Sequence, residues 1–193
     1  MFRAFSILCV SACVVSTAAQ ADCKSDIQAM MKAGETAENY REDTETLMGG
    51  QVVLHSTQLY RDYSHFLQRV KETGVNWLLL GDQEYTSSDG KTWSPAQKRE
   101  ADWLEKRLEG NAATREAIKD VACETEEIDG VSYRKFSYVQ ETTDPPVIST
   151  VVTWLAPETE LPAKRSMKAE MNGQVIETNV TFTWDQQIEL PQP

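Results

Sequence analysis

Side chains that could carry out chemistry are few in this chain of 193 residues. Two histidines, His55 and His65, lie in a segment that reads as strands. Their spacing places no pair of imidazoles on one helix face, and histidine-based zinc sites recruit further Cys, His or carboxylate ligands at set intervals. Each is therefore read as a surface or sheet-edge residue. Carboxylates are abundant: Asp82 with Glu84, and Glu126, Glu127 and Asp129, offer groups for acid–base work or for calcium. With 30 Asp and Glu against 19 Lys and Arg, such groupings arise on any solvated face. The alternating acids of a calcium loop are missing. No serine sits in a Gly-x-Ser-x-Gly turn, and no glycine-rich loop could cradle phosphate. Nucleophilic catalysis also needs a base held beside the nucleophile, and no such arrangement is legible. The expectation is a protein that is not an enzyme and takes no metal and no cofactor. A hydrolase whose site is dispersed in sequence is the third of three readings, after the two given below.

The aromatic residues are more informative. Trp77, Tyr85, Trp93, Trp103, Trp154, Phe182 and Trp184 fall on segments that read as strands or where a strand meets a helical stretch. Large aromatics fill cores in general. A curved sheet covered by one helical segment also leaves a concave apolar space, where small apolar ligands bind. Trp77, Trp154, Phe182 and Trp184 are the candidate cavity residues on the sheet, with Trp103 contributed from the helices. Strand parity decides which of them face inward, because a one-residue change of register turns a whole strand over.

The formal net charge is −11, with no basic run, which speaks against nucleic acid or an anionic membrane surface as partner. Residues Met1 to Ala21 carry Arg3, an apolar run from Ala4 to Val15, and small residues at Ala19 and Ala21. This is the pattern of a signal peptide cleaved after Ala21. The run is too short for a membrane anchor, which takes about 20 residues. The expectation is a periplasmic protein, residues 22–193 forming one domain without stable membrane insertion. An alternative treats Val10-Ser11-Ala12-Cys13 as a lipobox and anchors the chain by lipid at Cys13. Beyond the signal only Cys23 and Cys123 remain, and an isolated pair in an exported domain is most simply a disulfide. Closing a loop of about 100 residues stabilises by roughly 4.7 kcal/mol on the chain-entropy model.

The elements that must position these residues are punctuated by turn signals. Gly49-Gly50, Asp89-Gly90, Asp129-Gly130 and Asn172-Gly173 each suit the positive φ of tight hairpins. After Gly173, Ile176, Thr178, Val180, Phe182 and Trp184 share one face. Met167, Ala169 and Met171 do so on the strand before. Val147 to Leu155 reads as a more central strand behind the extended Asp144-Pro145-Pro146, and Trp77 to Leu80 as a buried one. Two regions break the pattern. Ser25 to Ala33 is predicted helical. So is an insertion with Ser94 as N-cap, Pro95 at its first position, a stop at Gly110-Asn111, and a second helix over Ala113, Ala117, Ile118 and Val121. The class is α+β, helices against an antiparallel meander.

The run Asn76-Trp77-Leu78-Leu79-Leu80-Gly81-Asp82-Gln83-Glu84-Tyr85, followed by Ser88-Asp89-Gly90-Lys91-Thr92-Trp93, resembles a strand end, Tyr and Gly-x-Trp hairpin of the outer-membrane lipoprotein carrier (LolA-like) superfamily and its lipid-binding lipoprotein relatives. Thr153-Trp154-Leu155, Glu158 to Pro162, Lys164 and the closing Ile188-Glu189-Leu190-Pro191 are similar to later motifs of that group, with Glu160 where Gly is usual. The resemblance implies a strongly curved antiparallel sheet, an incomplete β-barrel, with an N-terminal helix and a two-helix insertion as lid over an apolar cavity. It also implies a carrier or binding protein for an apolar ligand (acyl chain, lipid or lipoprotein) in the bacterial envelope. The second reading is a regulatory or scaffolding envelope protein whose rim binds a protein partner.

Overall fold

Local turn chemistry folds most of the chain back on itself. Gly49 (φ 58°) and Gly50 (φ 81°) join β1 (Tyr40–Met48) to β2 (Gln51–Asp62). Asp129 (φ 53°) and Gly130 (φ 78°) join β7 (Lys119–Ile128) to β8 (Val131–Thr143). Asn172 (φ 54°) and Gly173 (φ 75°) join β10 (Pro162–Met171) to β11 (Gln174–Thr183). Two successive left-handed residues match the right-handed twist of the strands they connect. Asp89-Gly90 joins no strands. The Asp89 carboxylate instead accepts the N–H groups of Lys91 and Thr92 at 2.8 and 2.7 Å and holds a loop.

The computed structural model describes residues 17–143 and 146–193, with backbone alone for 17–21 and 143. The lipobox around Cys13, the signal segment up to Ser16 and the turn residues Asp144 and Pro145 lie outside the described residues. Helix α1 (Thr17–Ala33) runs through the expected cleavage point, so processing there would leave its portion from Asp22. The remaining elements are β3 (His65–Val70), β4 (Asn76–Leu80), β5 (Gln83–Ser87), β6 (Gln97–Lys98), α2 (Trp103–Ala117) and β9 (Pro146–Leu155).

All eleven strands form one antiparallel sheet in the order β6-β5-β4-β3-β2-β1-β11-β10-β9-β8-β7. It is two meanders, β1 to β6 and β7 to β11, joined where β1 pairs with β11 from Arg41↔Thr183 to Met48↔Ile176. The α+β class is as expected, but the strong curvature and barrel-like closure are not found. The ladder stays open, neither closed nor strongly curled. The two helices, rather than an opposite wall of sheet, cover its apolar face. The two-helix insertion is also corrected. Ser94 caps no helix: its Oγ accepts the Thr86 N–H at 3.0 Å, and Gln97-Lys98 then pair with β5. Helix α2 starts later, at Trp103, and continues through Gly110 to Ala117 as one element. Ile118 then turns extended and leads into β7, so no second helix follows.

The core has two centres. Ile27 and Met30 of α1 pack with Ile118, Val121, Phe136, Tyr138, Val151 and Leu155. Tyr40, Tyr60, Phe66 and Leu79 form the other, with Trp77, Trp103, Phe182 and Trp184 against it. Cys23 and Cys123 form a disulfide, Cα atoms 5.7 Å apart, which pins α1 to the edge strand β7. A bridge of this kind belongs to an oxidising compartment outside the cytoplasm. Among the described residues no helix is long and apolar enough to cross a membrane.

Candidate functional site

Between the helix-covered face of the sheet and the two helices lies a cavity of about 420 Å³. Antiparallel register decides what faces it. Tyr40 and Glu42 on β1, opposite Tyr60 and Gln58 on β2, alternate inward, and Phe182 on β11 pairs with Glu42. On the far side Tyr138 and Gln140 of β8 and Arg165 of β10 share that face. From above, α2 presents Arg107, Asn111, Thr114 and Arg115, a spacing of four, three and one that sets them on one helical face. Met30 and Met31 close the α1 side.

One wall is aromatic. Phe182 and Trp184 stack with ring centres 6.0 Å apart, Trp184 lies 4.9 Å from Tyr40, and Tyr40 stacks on Tyr60 at 4.6 Å and 8°. Tyr60 continues to Phe66 at 5.1 Å, and Phe66 meets Trp77 edge-on at 5.5 Å. Six rings thus run unbroken over five neighbouring elements of the sheet. Two of their polar tips are held: Trp184 Nε1 donates to the Pro162 carbonyl at 2.6 Å, and the Tyr60 hydroxyl to Gln58 at 2.6 Å. Burial first, then the neighbouring phenol or carboxylate, pushes both Tyr40 and Tyr60 well above the ordinary phenol range, so both are neutral.

Ionic groups lie among and beside these rings. Burial raises the Glu42 carboxyl above its ordinary value, and the cations Arg165 and Arg107 pull it back in part. The Arg165 guanidinium lies 5.2 Å over the Phe182 ring, and its Nε is buried with no hydrogen-bond partner among the described residues. Arg107 sits 4.2 Å over the Tyr63 ring. Arg115 forms a close ion pair with Glu35, both side chains largely buried at 13% and 15% exposure. Gln28 donates to the Arg115 carbonyl at 3.0 Å, and Asn111 donates to the Tyr63 hydroxyl. These bonds hold α2 over the cavity, although no residue of α2 is itself buried. The arrangement suits binding of an amphipathic molecule. Among the described residues no group of three His, Cys, Asp or Glu is placed to hold a metal.

The structure separates the aromatic residues singled out by sequence. Phe182 and Trp184 line the cavity; Trp77 and Trp103 stand beside it, bridged by the Arg99 guanidinium 5.2 and 5.0 Å over their rings. Trp154 lies on the other face. Its neighbours Thr153 and Leu155 are buried on the helix side, whereas Trp154 pairs with Lys135 and Lys164 and donates to Glu126 at 2.7 Å. His55 also faces that side, between Glu45 and Glu72, and His65 meets Asp62 at 2.9 Å. Sequence reasoning missed Glu42, Arg107, Arg115 and Arg165. For Arg165 a signal existed: it shares the parity of Met167 and Ala169.

No family model matches the chain, and no curated protein matches it. Among solved structures, a DUF1329 family protein from Desulfovibrio piger is similar at 9% identity and a TM-score of 0.32. The match covers 88% of this chain and 95% of that one. A likeness at that level supports neither a fold nor a function. The resemblance to lipoprotein carriers therefore stands on the sequence motifs alone.

Proposed function

We propose that this is a non-enzymatic binding protein of the bacterial envelope that takes an apolar ligand, an acyl chain or lipid, into the space between sheet and helices, with α2 as the lid. The observation that carries the reading is the stack of four rings, Phe182, Trp184, Tyr40 and Tyr60, lining a cavity of about 420 Å³ and continued beside it by Phe66 and Trp77. That volume falls within the roughly 300–1,000 Å³ of small-molecule sites. The motif resemblance and the signal-like N-terminus support the same reading, and the disulfide supports a periplasmic location. Native mass spectrometry of protein purified from cell envelope, followed by lipid extraction, tests it. A bound acyl species is the expected result, and protein that neither carries nor takes up lipid would oppose it.

A second reading rests on a different observation. The hairpin tips β1–β2 and β10–β11 and the start of β9 meet at one end of the sheet, where Gly49 N–H donates to the Val175 carbonyl. Met48, Val52, Val53, Ile148, Met171 and Val175 are exposed there. Exposed apolar clusters mark contact sites. An envelope partner docking on this rim would make the protein a scaffold, and cross-linking from a photoreactive group at Val52 would capture that partner.

A further inference from the structure

The aromatic wall accounts for an apolar ligand, but not for the charge beside it. Arg115 is neutralised by Glu35. Arg107 and Arg165 also line the cavity, and among the described residues neither has a carboxylate within ion-pair distance. Glu42 faces both and, among the described residues, forms an ion pair with neither. Six charged side chains line the cavity: Arg115 and Glu35 pair with each other, Glu160 is exposed at its rim, and the inner groups are Arg107 and Arg165 against Glu42, in a chain whose formal net charge is −11. Buried charged donors are satisfied almost without exception, and a guanidinium Nε left without an acceptor is costly. The Arg165 Nε is such a donor. Both guanidiniums lie over aromatic rings of the cavity, Arg165 over Phe182 and Arg107 over Tyr63, so the cationic and aromatic surfaces are continuous. A neutral acyl ligand would leave both cations unused inside the protein.

Resting on the binding reading above, we infer that the ligand is an anionic amphiphile whose singly charged head, a carboxylate, is held by Arg165 and Arg107 while its chain lies along the aromatic wall. With Glu160 exposed to solvent, the inner groups leave one guanidinium uncompensated, which matches a carboxylate better than a doubly charged phosphate. Planar guanidiniums stacked on rings are suited to such a head, because they are weakly hydrated and fixed in orientation.

The test compares dodecanoate, dodecanol and dodecyl phosphate, equal in chain length, by calorimetric titration of the intact protein. Dodecanoate is expected to bind about tenfold to a hundredfold more tightly than dodecanol, the range of a charge-assisted hydrogen bond. Arg165→Gln or Arg107→Gln should remove most of the difference in affinity between dodecanoate and dodecanol. Arg69→Gln, at an exposed position on β3, should change neither. Equal affinity of the wild-type protein for dodecanoate and dodecanol overturns the inference while the acyl reading survives, and this comparison needs no variant to fold. Tighter binding of dodecyl phosphate overturns the single-charge assignment. If none of the three binds, the acyl-binding reading falls as well.

Discussion

Replacing both Cys23 and Cys123 by serine removes the covalent tie between α1 and the edge strand β7. The bridge spans 100 residues of sequence, and that loop contains all of β1 to β6 and α2. In the unfolded chain, releasing such a loop restores conformational entropy worth roughly 4.7 kcal/mol at 25 °C on the chain-entropy model. In the folded chain the remaining joins are the β1–β11 ladder and the packing of α1 on Phe136, Val151 and Leu155. For a chain of this size 1 kcal/mol corresponds to about 2–4 °C in Tm, so the double variant should melt roughly 10–20 °C lower. Thermal unfolding followed by far-UV circular dichroism gives Tm, and urea unfolding with Cm compared at unchanged m checks that the loss is one of stability. The variant should still fold, because both core centres persist without the sulfur atoms. A fall in Tm of less than about 3 °C would refute the loop-entropy argument.

Glu42→Gln tests the buried carboxylate. Because burial raises its pKa in the folded state, the folded protein binds this proton more tightly than the unfolded chain does. Its contribution is intact below the ordinary 4.5 and is lost as pH rises through the folded value. Wild type and variant should match in stability near pH 4, with the variant the more stable at pH 8; identical differences at both pH values would oppose this. Arg115→Met leaves Glu35 buried without its partner and should cost about 3–5 kcal/mol in chemical denaturation, largely recovered when Glu35→Leu is added. A single variant as stable as wild type would contradict the buried pair. Trp154→Phe removes only a contact with Glu126 on the far face, so it should leave dodecanoate affinity unaltered by calorimetry. A tenfold loss there would place the ligand on the wrong side of the sheet.

What could be read from sequence was local. The hairpins at Gly49-Gly50, Asp129-Gly130 and Asn172-Gly173 depend on φ > 0 at two residues, which the residue types themselves announce. The alternation of β11 is likewise local and sets Ile176, Thr178, Val180 and Phe182 on one face. The joining of β1 to β11 was not legible, because Tyr40–Met48 carries three acids and shows no apolar stripe; its place at the centre of the sheet comes from hydrogen bonding on both edges. Helix α2 was divided at Gly110, a residue that costs a helix about 1 kcal/mol. Contacts from neighbouring positions, such as Asn111 to Tyr63 and Arg115 to Glu35, favour the helix there. The parity of Trp154, which sets it on the far face, follows from pairing with β8 and β10, which no local pattern specifies. Arg107, Arg115 and Glu42 converge from a helix and a strand far apart in sequence, so the ionic groups come together only in the folded chain.

The central claim, an acyl ligand lying along the aromatic wall, is tested most directly by titrating fatty acids of increasing length and following the fluorescence of Trp184, with the other tryptophans replaced by phenylalanine. The account predicts a saturable change whose affinity rises about fourfold for each added methylene, from about 0.8 kcal/mol per buried CH₂, until the cavity is full. An absent signal, or an affinity indifferent to chain length, would contradict it.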